Sequence, residues 1–228
     1  MKENAPHEFE HIRSNKPIQL LNLNDVEFVQ KSAKEVPYKN EEEYFEFMKS
    51  EYNVTQGMVD CLELIVLFHH HGHPFVLFFF TTGKTSTYYH LPQGQRHIEE
   101  SIERATSRIL SELLEPTLSS ANVKWHIHGT ISKWYRPYFK SFSYPYIPAH
   151  ITKPKSSIHL ILVTISEKTT LHVPANFTPI AIPLMDLFVD SKRYGPLYSS
   201  IPQMLSSFKF NPIKEGETAE DAIATSSS

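Results

Sequence analysis

The stretch Leu91–Pro116, LPQGQRHIEESIERATSRILSELLEP, constrains the fold more than any other. A glycine turn at Gly94 opens it and Pro116 stops it. Between them Ile98, Ile102, Ala105, Ile109 and Leu113 recur at helical spacing. A stripe of that kind makes an amphipathic helix whose apolar face packs on another layer. The partner layer is encoded just upstream. Val59–His70 is rich in apolar and β-branched residues and reads as a central strand. His71-Gly72-His73-Pro74 is a turn signal, and Phe75–Phe80 is the returning strand.

The remaining elements are weaker but consistent. Pro17 to about Gln30 supplies an edge strand. Glu41–Tyr52 reads as a helix, with Asn40 as N-cap, three glutamates at its positive end, and Phe45, Met48 and Tyr52 on its apolar face. Thr81–Ser86 is a polar loop, and Thr87–His90 is a short strand leading into the Gly94 turn. Val123–Tyr135 and Ile158–Ser166 read as strands, and Pro179 confines Phe177–Ile182 to a sheet edge. Leu184–Val189 is a helical turn, Tyr194-Gly195-Pro196 a tight turn, and Ser199–Phe208 a last helix. Interspersed strands and helices, with hairpins as well as crossovers, predict an α/β (α+β) domain with a mixed sheet between helices. That domain spans residues 17–210, between a flexible tail (1–16) and a disordered acidic tail (211–228).

Composition excludes several function classes. With 40% hydrophobic and 21% charged residues this is an ordinary globular chain. A net charge of −3 gives no global basic field, so any grip on nucleic acid is local and short. Cys61 is the single cysteine, which excludes an internal disulfide and fits a reducing compartment. The opening MKENAPHEFEHIRSNK lacks the apolar core of a signal peptide, and runs such as Phe75–Phe80 are far too short to span a membrane. His69, His70, His71 and His73 gather at a hairpin without a nearby carboxylate or cysteine, so a solvent-facing tip is expected rather than a metal site. Gly83-Lys84-Thr85 lacks the upstream glycine of a P-loop, and no Gly-x-Ser-x-Gly elbow is present.

The Leu91–Pro116 stretch carries a second pattern. Gly94, Glu100 and Arg108 keep the spacing Gly-x5-Glu-x7-Arg, and the following positions are Ile109, Leu110, Ser111, Glu112 and Leu113. This resembles a Nudix box in which carboxylates at 109 and 113 have become apolar. Magnesium needs several oxygen ligands, and such a helix is repurposed from holding metal to packing. No catalytic residue, metal ligand or cofactor is therefore expected. Tyr88 and Tyr89 stand before the turn that borders the cleft of a Nudix fold. One of them faces that cleft, and an aromatic there can stack on a base.

A longer resemblance follows from Tyr144-Pro145-Tyr146-Ile147-Pro148-Ala149-His150-Ile151-Thr152-Lys153-Pro154-Lys155. Trp134-Tyr135-Arg136-Pro137, Tyr194-Gly195-Pro196 and Ser199-Ser200-Ile201-Pro202-Gln203 support it. These segments resemble the small, Nudix-fold subunit of pre-mRNA cleavage factor Im, also called cleavage and polyadenylation specificity factor subunit five. The resemblance runs from about Gly57 to Phe210. It implies a non-catalytic, homodimeric subunit of the nuclear 3′-end cleavage and polyadenylation machinery. Such a subunit binds short single-stranded UGUA elements of the mRNA precursor and a larger cleavage factor Im subunit with an RNA-recognition domain. It further implies RNA contacts at Thr87, Tyr88, Tyr89, Glu63, Tyr194 and Gly195, and contacts to the large subunit at Tyr144 and Tyr146. One departure matters. The arginine with which the family partly reads guanine aligns on Tyr44, and a family glutamate aligns loosely on Lys39, so weakened or altered guanine selection is expected. The alternatives are a dimeric scaffold with weakened RNA reading, and an active magnesium-dependent Nudix hydrolase in which Glu100, Glu112 and another carboxylate from elsewhere hold the metal.

Overall fold

The most apolar runs of the sequence become the middle of a mixed sheet. The computed structural model of the chain describes residues 16–35, 41–55, 57–82, 87–116 and 123–213. Its first elements are β1 (Ile18–Leu20), β2 (Val26–Lys31), α1 (Glu41–Thr55), β3 (Val59–His70), β4 (His73–Thr82), β5 (Thr87–His90) and β6 (Gln93–Gln95). Helix α2 (Ile102–Leu114) follows, then β7 (Trp125–Arg136), β8 (Ser156–Ile165), β9 (Thr169–Pro174) and β10 (Thr178–Pro183). Three short helices, α3 (Leu184–Val189), α4 (Ser191–Ser199) and α5 (Ile201–Leu205), precede β11 (Phe210–Pro212).

The sheet has seven strands, running β10-β4-β3-β8-β7, with β5 added on β4 and β6 on β3. Strands β3 and β8 pair in parallel from Val59↔Ser156 to Leu67↔Thr164. Every residue of β8 is buried, as a parallel strand covered on both faces requires. On one face Leu62, Leu64, Val66 and Phe68 of β3 meet Ala105, Ile109, Leu110 and Leu113 of α2. On the other, Ile65 and Leu67 meet Leu187 of α3, Leu197 of α4, and Ile201 and Leu205 of α5. Met48 of α1 covers Val59 and Cys61 in a smaller patch. Cys61 lies in that core, and burial pushes its thiol up to about 11.

Several expectations change. The expected edge strand over Pro17–Gln30 is in fact β1 and β2, and both lie outside the main sheet. Strand β1 pairs in parallel with β11, and β2 with β9. The domain therefore runs past the expected boundary at Phe210. Ile213 is 1% exposed, and its N–H donates to the Leu20 carbonyl at 2.9 Å. His69 is not part of a solvent-facing tip; it is buried, with Nε2 2.7 Å from the Ile213 carbonyl. Ile98 leaves the expected stripe. Ser101 caps α2 by accepting from the Arg104 N–H at 3.2 Å, and Glu99 before it has a φ of 69°, so the helical repeat starts at Ile102 and Ile98 is exposed. Thr81 and Thr82 extend β4 rather than opening the loop. Asn40, Lys39, the Gly83-Lys84-Thr85 segment, residues 1–15 and residues 214–228 lie outside the described residues.

Candidate nucleic-acid interface

Alternation along β5 separates its two tyrosines. Tyr88 is opposite Thr81 and Tyr89 opposite Phe80 in the pairing with β4, and Thr87 opposite Thr82. His90 packs on Phe79 and Phe177, on the α2 side of the sheet. Tyr89 packs on the other side, with α3–α5, so Tyr88, which is 41% exposed, points away from it. The Tyr89 ring lies 5.3 Å from Phe80 and 5.4 Å from Tyr194, the latter edge-on at 70°. Tyr194 is held by the chain reversal that follows. Gly195 has φ 76° inside α4, a conformation that favours glycine, and lets the helix restart at Pro196. The structure thus brings Tyr89, Tyr194 and Gly195 together, and separates Tyr88 from them.

Glu63 lies deeper. It shares its face of β3 with Ile65 and Leu67, pairs with Leu160 on β8 and Gln93 on β6, and is 2% exposed. Burial raises its pKa, against the pull of Arg136 and of a hydrogen bond from the Tyr198 hydroxyl. Its Oε2 has no hydrogen-bond partner among the described residues, which is costly for a buried acceptor. Tyr198 is half-buried, and burial of its hydroxyl, with Glu63 beside it, pushes the phenol well above its ordinary value. Tyr198 packs edge-on to Phe78 at 5.2 Å, and Phe78 lies 6.1 Å from Tyr194. Arg136 continues the row to α1. Its Nη1 donates to the Tyr44 hydroxyl at 3.2 Å, with the guanidinium carbon 5.7 Å from the Tyr44 ring centre. An aromatic wall therefore runs from β5 to α1, with a buried carboxyl and a guanidinium behind it.

The Nudix-like segment has a different chemistry. Arg108 donates to both oxygens of Glu100, at 3.0 and 2.9 Å, and to Glu112 Oε1 at 3.2 Å. Lys34 donates to Glu112 Oε2 at 2.8 Å. Through the Arg108 hydrogen bonds the Glu100 carboxyl falls to about 2. Ile109 and Leu113 are buried in the α2 layer, 1% and 3% exposed. A Cβ at Gly94 would stand 2.7 Å from Ile109 Cγ1. Both surviving carboxylates hold protein cations, and the two lost ones are core. No cluster of three or more His, Cys, Asp or Glu suited to a metal ion occurs among the described residues. The arrangement does not fit the magnesium site of a Nudix hydrolase.

Residues 16–208 match the NUDIX_2 family model, described as nucleotide hydrolase. The chain is 37% identical over 166 residues to the pre-mRNA cleavage factor Im 25 kDa subunit 2 of Arabidopsis thaliana, covering 73% of this chain and 81% of that protein. It is 35% identical to the cleavage and polyadenylation specificity factor subunit 5 of Dictyostelium discoideum, covering 72% and 80% of the two chains. The chain belongs to the cleavage factor Im 25 kDa subunit family. Subunit 1 from Arabidopsis thaliana, 32% identical over 72% of each chain, agrees.

The loop that carries Tyr144 and Tyr146 leaves β7 directly after Arg136, and its Phe139 packs edge-on to Tyr52 of α1 at 5.7 Å. Tyr144 is fixed to β7 by paired backbone hydrogen bonds with Tyr135, at 2.7 and 2.9 Å. Its ring is 5.8 Å from that of Tyr146. Tyr144 and Tyr146 are exposed, as are Tyr138, Phe142 and Ile147 around them. Sequence reading missed Tyr198, Arg136 and Arg193 as members of the site. Tyr198 follows Tyr194 at helical spacing, and Arg136 ends the Trp134–Pro137 motif, so each had a signal in the sequence. Arg193 had only its place beside Tyr194.

Proposed function

We propose that this chain is a non-catalytic RNA-binding subunit of the nuclear pre-mRNA cleavage and polyadenylation machinery. The observation that carries the reading is the Tyr89–Tyr194 ring pair, 5.4 Å apart beside the Gly195 turn. Tyr89, rather than Tyr88, stacks a base of a short UGUA-type single strand. Thr87 and the Tyr194–Gly195 backbone line the strand's path, and Glu63 acts from behind the ring wall through Tyr198. Stacking contributes about 1–3 kcal/mol per base, so a few-nucleotide site needs no strong positive field. Homodimerisation and docking of a larger subunit on the exposed Tyr144 and Tyr146 complete the assembly. Paired Glu100 and Glu112 and buried Ile109 and Leu113 argue against hydrolysis.

The test is fluorescence anisotropy with a labelled UGUA-containing RNA. Tyr89→Ala and Tyr194→Ala should each weaken binding about tenfold or more, while Tyr88→Ala changes it by less than about threefold. Absence of RNA binding by the wild type, with retained capture of a large subunit that Tyr146→Ala abolishes, would instead establish a dimeric scaffold. That second reading is favoured by the exposed aromatic loop alone.

A further inference from the structure

Arg193 stands where a base would stack. Its guanidinium carbon is 4.6 Å from the centre of the Tyr89 ring and 5.5 Å from that of Tyr194, and its Nη2 donates to the Tyr89 hydroxyl. The backbone beneath is fixed, because the Arg193 N–H donates to the Asp190 carbonyl at 3.1 Å and to Asp190 Oδ1 at 3.3 Å. The side chain is exposed and makes no ion pair among the described residues. A guanidinium carries five N–H donors in a rigid fork, and among the described residues its one hydrogen bond goes to the Tyr89 hydroxyl. It is therefore a tethered cation resting on a ring through a weak, water-screened contact.

A base that stacks on Tyr89 has to move this guanidinium sideways. The fixed backbone at Arg193 keeps it at the rim of the incoming base. We infer that Arg193 is a specificity residue of this site, and that its fork reads the O6 and N7 acceptors of a guanine stacked on Tyr89. Adenine offers N7 but presents an N6 donor in place of O6, so one arm of the fork then faces a donor. A guanidinium thus reaches the site from α4, although position 44 on α1 carries none, and guanine selection is retained rather than lost. The inference rests on the stacking role proposed for Tyr89.

The experiment compares UGUA and UAUA RNAs by anisotropy at one salt concentration, using the full chain as wild type, Arg193→Gln, Arg193→Lys and Tyr89→Ala. The wild type should prefer UGUA about tenfold, within the range of one bidentate base contact. Both Arg193 variants should bring that preference to within about twofold, because lysine keeps the charge but not the fork. Their melting temperatures should match the wild type, since the side chain is exposed. A wild-type preference kept by Arg193→Lys would overturn the inference and make the residue a phosphate contact, which weakens both RNAs alike. A preference kept by Arg193→Gln, or no preference in the wild type, overturns it as well. In those cases the stacking reading survives if Tyr89→Ala still loses affinity. Unchanged binding in Tyr89→Ala overturns both.

Discussion

Substituting Gly94 by alanine tests whether the Nudix-like turn is now held by packing. An added Cβ would approach Ile109 Cγ1 to 2.7 Å and Cδ1 to 2.8 Å, and Ile109 is 1% exposed. Gly94 has no positive φ, so alanine meets no backbone strain there and should reduce unfolded-state entropy by about 0.4–1 kcal/mol in favour of folding. Against this, forcing the Ile109 side chain aside in a packed layer costs about 1–3 kcal/mol. The net expectation for Gly94→Ala is a destabilisation of about 1–2 kcal/mol. Ile109→Ala alone should cost about 2–5 kcal/mol through lost burial and the cavity it leaves. In the double variant the new methyl enters that cavity and the clash disappears, so the double loss should be smaller than the sum by about 1–2 kcal/mol. Urea unfolding followed by the fluorescence of Trp125 and Trp134 gives all four corners of the cycle. Additivity within about 0.5 kcal/mol, or a Gly94→Ala protein as stable as the wild type, would refute the argument that Ile109 has taken over the turn.

Ile213→Ala should lose about 2–4 kcal/mol in the same assay, because the side chain is 1% exposed; a loss under about 0.5 kcal/mol would return the domain boundary to Phe210. Glu100 has its carboxyl lowered to about 2 from 4.5, so its contribution is fully present above about pH 4.5 and is lost as pH falls towards 2. The stability gap between wild type and Glu100→Gln should therefore narrow across that window, and a gap that stays constant would contradict the Arg108 pairing. Millimolar magnesium should leave the melting temperature unchanged, since Glu100 and Glu112 already hold Arg108 and Lys34; a rise abolished by Glu112→Gln would revive the hydrolase reading.

Long apolar runs were legible in the sequence because their burial is nearly independent of partner. Val59–His70 forms the expected strand with the expected bounds, and the shorter Thr87–His90 and Leu184–Val189 also keep theirs. Strands β6, β9 and β11 were not expected, since runs as short as Gln93–Gln95 and Phe210–Pro212 are strands only by virtue of remote partners. Periodicity placed Ile98 on the helix because the cap at Ser101 is a local backbone event that hydrophobic spacing does not register. Within the candidate site, alternation guaranteed that one of Tyr88 and Tyr89 would face α4 but could not say which. Glu63 was named only through the family resemblance. The groups around it, Tyr198 from α4 and Arg136 from β7, meet it only through tertiary packing.

The pairing of β1 with β11 sets the order of events during synthesis. The Asn211 amide donates to the Gln19 side chain across 192 positions of sequence. At about 5–20 residues per second, β1 waits on the order of ten to forty seconds after leaving the ribosome before its partner strand emerges. Until then Ile18 and Leu20, both buried in the finished domain, lack the strand that pairs with them. Until β11 is made, the nascent chain thus carries an apolar strand with an unpaired edge, which makes it a natural binding point for co-translational chaperones.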